Sequence, residues 1–250
     1  MGIMLGISGT GGALLSTPIL IYFFNESPSS ATHISLLMVC ICSLLLTLTF
    51  LRKNKINFEI FSIFAPVAVI CSYLSRHFLA PFISKQPMLF HSKLNGEMIT
   101  LIALGCIMIR SGIHLSKSQT KELKPTHHNS VIVLAMITGT LSGWLGIGGG
   151  FVMIPAFSLM FGLDIQESIA TSIIITCTQT FSGFLGDLQA IHQLNTLNII
   201  SYTITAILGL IPGIMLREII NEKLFKKGFK ALTVSIGSAL LLNCCYQVLF

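Results

Sequence analysis

The sequence predicts an all-α polytopic membrane protein built from two related halves, and three observations carry that expectation. Hydrophobic residues make up 53% of the chain and charged residues 10%, with a mean hydropathy of +0.84, whereas soluble domains carry roughly 25% charge. Apolar stretches of about 18 or more residues recur with few or no charges, the length that crosses roughly 30 Å of hydrocarbon. A glycine pattern also occurs twice. Sliding the chain by 137 positions lays Gly2 on Gly139, Gly6 on Gly143, Gly9 on Gly146, Gly11 on Gly148, Gly12 on Gly149 and Pro18 on Pro155. The same shift lays Ser35 on Ser172 and, with one residue of slippage, Asn57 on Asn195. What repeats is backbone freedom followed by a residue that lacks an N–H, so the repeat is one of geometry.

About eight membrane-embedded helical segments follow in order, four to each half, with residues 1–115 and 130–250 as the halves and 116–129 as the polar linker. Segment A, residues 1–24, carries the first glycine pattern. No basic stretch precedes its apolar run, so it reads as mature protein and not as a signal peptide. Five residues precede Gly6, whereas thirteen (130–142) precede Gly143, which points to a shortened first helix or a start further upstream. Segment B runs from about 30 to 51 and ends at the basic turn Arg52, Lys53, Asn54, Lys55. Segment C covers about 57–80, with Asn57 expected as a helix N-cap and Pro66 as a kink. The interval 81–97 is amphipathic and basic, and segment D covers about 98–115.

Segment E, residues 130–161, is uncharged and too long for a comfortable single span. Its centre is Gly146-Ile147-Gly148-Gly149-Gly150, followed by Pro155. Asp164 and Glu167 form a helix-start box for segment F, about 165–186. Segment G covers 195–217, and a basic interval (Lys223, Lys226, Lys227, Lys230) leads into segment H, about 229–250.

The formal net charge of +6 comes from lysines and arginines in the inter-span loops. They form no stripe that would suit nucleic acid; anionic lipid headgroups and membrane orientation account for them. All seven cysteines lie in apolar segments, which argues against a disulfide framework or a metal site. No cofactor is expected. Gly9-Thr10-Gly11-Gly12 looks superficially like a nucleotide-binding loop, but no lysine follows in the required position and no strand precedes it.

In a bilayer every backbone polar group needs a partner, so non-helical chain survives at membrane depth only when buried in protein or facing a wet cavity. Gly146 to Gly150 with Pro155 is a poor recipe for continuous helix and a good one for a break. A broken membrane helix presents free amides and a positive dipole end that can hold an anion. The bland alternative is close helix packing, which suits the small-xxx-small pairs Gly2/Gly6, Gly139/Gly143 and Gly209/Gly213.

With the doubled glycine cluster, its proline, Ala170-Thr171-Ser172 and the four-plus-four layout in view, the chain resembles the sulfite exporter TauE/SafE family of membrane permeases, over essentially its whole length. The resemblance implies transport of sulfite, sulfonates or related small organic anions across the cell membrane. On that expectation the substrate-binding residues are Gly9, Gly11, Gly12, Pro18, Gly146, Gly148, Gly149, Gly150, Pro155, Ser35, Ser172, Thr176 and Gln179. In the first half Ala13 stands in place of the third glycine.

Thr176, Gln179 and Thr180 share one helix face and suit a pore lining, although hydroxyls can instead bond back to their own helix. Asp187 ends segment F at the interface, and His33 is a headgroup-level residue. Arg76 and Arg217 align across the halves and are expected to snorkel, leaving no basic side chain deep in a span. The expected partners are a small anion and lipid, with room for a homo-oligomer. An embedded enzyme would show His, Asp, Glu or Cys at catalytic spacing, which the spans lack. A non-transporting scaffold is the alternative, and it has no need of duplicated mid-membrane glycine clusters.

Two topologies remain. If all eight segments cross, the two sides carry eight and seven basic residues; if A and E each dip in and return, the split is twelve against three. The positive-inside rule favours the second, the family layout the first.

Overall fold

The computed structural model describes residues 1–51, 55–84, 96–117, 128–186, 196–217 and 222–249. The basic turn 52–54, Lys85 and Lys93, linker residues 118–127, Asp187 and Asn195 lie outside them. Among the described residues every regular element is a helix, with no strand.

Segment A is two short helices, α1 (Gly2–Ser8) and α2 (Ser16–Phe24), joined through Gly9, Thr10 and a 3-10 turn over Gly11–Leu15. Then come α3 (Pro28–Leu51) and α4 (Phe58–Leu74), which runs through a wider π turn at Ser75–Leu79 into α5 (Ala80–Ser84). The Asn57 side chain accepts from the Ile60 amide at 3.1 Å and caps α4 as the sequence suggests. The chain continues through α6 (Gly96–Lys117) and α7 (His128–Leu145). The next elements are α8 (Gly150–Phe161), α9 (Ile165–Leu185), α10 (Thr196–Arg217) and α11 (Glu222–Leu249). The first bond of α9 runs from the Ser168 amide to Asp164 O. The basic stretch before segment H is not a loop: α11 begins at Glu222 and takes in Lys223 to Lys230, since lysine is a good helix former.

Among the described residues five helices are long and apolar enough to cross a membrane: Pro28–Leu51, Phe58–Ile83, Gln166–Leu185, Thr196–Arg217 and Lys227–Cys245. The helices flanking each break are short, and they fold back. Along α7, Gly139 faces Ala68 and Gly143 faces Ser72 of α4, so α7 runs parallel to α4. After the break α8 returns: Phe157 meets Phe64 with ring centroids 5.2 Å apart, and both join Ile60 and Val131, from the first turns of α4 and α7, in one apolar cluster. Segment E therefore enters and leaves at the same end of α4.

Segment A does the same against α10. Gly2 faces Ala206, Gly6 faces Gly213, and after the turn Phe24 at the end of α2 packs tilted against Tyr202 with ring centroids 4.5 Å apart. Tyr202 lies toward the first turns of α10, so α2 has come back. The small-residue pairs sit where backbones touch: a Cβ on Gly139 would lie 2.4 Å from Ala68 O, and one on Gly213 would lie 2.4 Å from Ile3 O. Close approach of this kind is what small residues permit in lipid.

Helix partners exchange between the halves. α1 packs on α10 and α7 on α4, α2 packs on α3 and α8 on α9, while α3 pairs with α9 and α6 with α11. The centre of the molecule is where the two breaks meet. A Cβ on Gly150 would lie 2.3 Å from Thr10 Cβ, and one on Gly148 would lie 3.5 Å from Ala13 Cβ.

Candidate functional site

The second break begins where the Gly146 amide donates to Ser142 O at 3.0 Å and closes α7. Gly146, Gly148 and Gly149 then take φ of 71°, 73° and 62°, a left-handed region that costs an L side chain roughly 1 kcal/mol or more. Helix α8 restarts at Gly150, with Val152 and Met153 donating to Gly149 O. Among the described residues the Gly150 and Phe151 amides meet no acceptor. They form the positive end of a twelve-residue helix.

Carbonyls freed by the break are met by side chains from three elements. Ser35 Oγ of α3 donates to Gly146 O (2.7 Å), Thr17 Oγ1 of α2 to Leu145 O (3.1 Å), and Thr176 Oγ1 of α9 to Gly148 O (2.9 Å). Gln179 Nε2 of α9 also donates to Gly148 O, at 2.5 Å. Ser16 and Ser35 touch through their hydroxyls. Every one of these residues is buried. Bonds of this type are worth about 1 kcal/mol each, and an orphaned buried partner costs about 1–3 kcal/mol, so irregular backbone at this depth is stable because its carbonyls are met.

Three buried side-chain atoms have no partner: Thr10 Oγ1, Gln179 Oε1 and Ser142 Oγ. Two of these side chains border the start of α8. Thr10 Oγ1 would lie 2.6 Å from a Cβ on Gly150, and the Gln179 amide nitrogen 3.0 Å from a Cβ on Gly149.

Arg76 corrects an expectation. It does not snorkel: it is 2% exposed and is the only charged side chain among the buried described residues. Its guanidinium donates to Gly143 O (3.3 Å), Trp144 O (3.4 Å) and Thr32 Oγ1 (3.2 Å), and it touches the His33 ring. The π turn that carries it is a feature often found at functional positions. A cation on the last carbonyls of α7 neutralises the negative end of that helix. His33, in contact with Arg76, is thereby tied to the end of α7 and not simply to the headgroup level. Arg217 does stay at a helix end, over the Phe50 ring at 4.8 Å.

The remaining sequence candidates divide. Gly9 has φ 81° and opens the first break, and Gly11, Gly12 and Pro18 are buried in the same stretch. Gly12 donates to Ser8 Oγ at 3.1 Å. Pro18 is third in α2, where a missing N–H costs nothing, whereas Pro155 is inside α8. Ser172 bonds back to Ile169 O (2.8 Å) and Thr180 to Thr176 O (2.6 Å), so neither reaches the break. Sequence reasoning missed Thr10, Thr17 and Arg76. Thr10 stood inside the glycine pattern; nothing local marks Arg76.

No group of three or more His, Cys, Asp or Glu able to hold a metal occurs among the described residues. No solved structure matches the chain. A probable membrane transporter protein of Methanocaldococcus jannaschii is 29% identical over 94% of this chain and 88% of its own length. The Bacillus subtilis probable membrane transporter proteins YunE and YdhB are 25% and 27% identical, covering 88% and 74% of this chain and 84% and 74% of theirs. The family model "Sulfite exporter TauE/SafE" matches residues 1–240, and the chain belongs to that family of membrane permeases.

Proposed function

We propose that the protein carries a small, sulfur-containing anion, such as sulfite or a sulfonate, across the cell membrane by a gradient-driven or passive mechanism, and that the anion is held where α8 begins. One observation carries this reading. The open amides of Gly150 and Phe151 lie at the meeting point of two breaks, bordered by two buried side chains with unpartnered atoms, Thr10 and Gln179. With Arg76 on the carbonyl end of α7, the unopposed dipole at the break is the positive one of α8. An anion completes the missing bonds.

The glycines serve this by letting the backbone approach the ion, with Ser35, Thr17, Thr176 and Gln179 holding the carbonyls out of its way. Gly9, Gly11, Gly12 and Pro18 place Thr10 from the opposite hairpin. The exchange of helix partners between the halves supports an ancestral duplication in which two re-entrant hairpins meet tip to tip. In that arrangement the ends of α3, α6 and α10, the loops after them and the start of α11 share a side and hold twelve basic residues, against Lys85, Lys93 and the buried Arg76, which makes that side cytoplasmic. Cysteines introduced at Ser116 and Asp164 should then label from the same face; opposite faces would mean that segment E crosses.

The functional test uses purified protein in proteoliposomes with sulfite, alkyl sulfonates and carboxylates. Flux of sulfite or a sulfonate above protein-free vesicles is expected. If no member of the panel moves, the transport reading is wrong and a scaffold role replaces it.

A further inference from the structure

We infer that the substrate carries a hydrogen-bond donor of its own next to its anionic group, and that Gln179 Oε1 receives it. The inference rests on the anion reading above and concerns the same site. Gly148 O can only accept, so the Gln179 group facing it at 2.5 Å is the NH2. That fixes the amide, and Oε1, on the same carbon, is left as a wholly buried acceptor with no donor. An oxyanion bearing only acceptors satisfies the Gly150 and Phe151 amides and the Thr10 hydroxyl, yet leaves Oε1 unmet. A second oxyanion lone pair beside it would also repel.

The open groups thus sort by type. On the α8 side stand two backbone donors and Thr10, whose oxygen lies 2.6 Å from the Cβ position of Gly150. On the α9 side stands Gln179, whose amide nitrogen lies 3.0 Å from the Cβ position of Gly149 and whose Oε1 is the one open acceptor. The complementary ligand is a monoanion with one O–H, a class that includes hydrogen sulfite and hydroxy-substituted short sulfonates. A dianion fits poorly, because Arg76 is already engaged by Gly143 O and Trp144 O and the end of a helix offers only about half a unit of positive charge. Sites built to bond a substrate hydroxyl discriminate strongly against analogues that lack it.

The test is a flux comparison within pairs of similar size, in the reconstituted full chain: hydroxymethanesulfonate against ethanesulfonate, and 2-hydroxyethanesulfonate against 1-propanesulfonate. The hydroxylated member of at least one pair should move roughly tenfold to a hundredfold more efficiently, the range expected for a buried acceptor left unmet. Equal flux within both pairs overturns this inference while leaving anion transport standing; no flux of any sulfonate or of sulfite removes the transport reading itself. In Gln179→Met the preference should collapse through loss of the hydroxylated member's advantage. In Thr10→Val both members should slow together with the ratio kept. A ratio that survives Gln179→Met, or that is lost in Thr10→Val instead, assigns the acceptor elsewhere and overturns the role of Gln179.

Discussion

The two breaks share a glycine pattern and differ in what they do with their backbone. In the first, only Gly9 is left-handed, and the Gly12 and Ala13 amides are taken within the turn, by Ser8 Oγ (3.1 Å) and Thr10 O (3.2 Å). In the second, three glycines are left-handed, the carbonyls are taken by side chains from other helices, and the amides at the start of α8 stay open. A repeated pattern therefore does not imply a repeated site. The alanine at position 13 and the serine at position 8 make the first break a structural turn that offers one side chain, Thr10, to the second.

The largest effect is expected where the second break is anchored. Arg76→Leu leaves the Gly143 and Trp144 carbonyls unmet in a buried setting and should cost about 3 kcal/mol or more of stability, read as a lower midpoint in thermal unfolding of the purified protein. Arg217→Leu, at a helix end, should cost well under half of that. A matching loss in both would mean that Arg76 does not anchor the break.

Gly139→Ala comes next. Its Cβ would lie 2.4 Å from Ala68 O, and such overpacking costs about 1–3 kcal/mol. Stability should fall while flux per folded molecule is kept, because this glycine belongs to helix packing and not to the break. Unchanged stability would show that α7 and α4 are further apart than described.

A smaller effect is expected of Thr10→Val, which keeps shape and removes a hydroxyl. Flux should fall about fivefold to tenfold, the loss of one hydrogen bond of about 1–1.5 kcal/mol, with little change in stability. Full flux would uncouple the first break from the site.

Much of this was legible in the sequence, for identifiable reasons. Glycine and proline act through local backbone geometry, so the break at Gly146 to Gly150, the Asn57 cap and the start of α9 after Asp164 could be read from residue type and spacing. The return of α8 toward the start of α4 was accessible through loop charge, since the twelve-to-three split arises only when segment E folds back. Long-range side-chain partners could not be read. Arg76 lies 67 positions from Gly143 and Thr17 lies 128 from Leu145, and an arginine near a helix end has the same local pattern whether it snorkels or turns inward. Ser172 differs from its repeat counterpart in the same way: Ser35 donates to Gly146 O, whereas the Ser172 hydroxyl turns to Ile169 O of its own helix.

The most direct test of the central claim is flux per folded molecule in Gly149→Val, measured beside Gly12→Val in the same proteoliposomes. A side chain at position 149 would stand 3.0 Å from the Gln179 amide nitrogen and 3.1 Å from Thr138 O in a left-handed conformation, at the N-cap of α8. Gly12→Val meets the Leu5 backbone at 2.2 Å and should lower the yield of folded protein more than the activity of what folds. No flux is expected in folded Gly149→Val, and in folded Gly12→Val only a partial loss, no larger than that of Thr10→Val. Wild-type flux in Gly149→Val would contradict the account, leaving the glycine cluster a packing device and the anion site elsewhere.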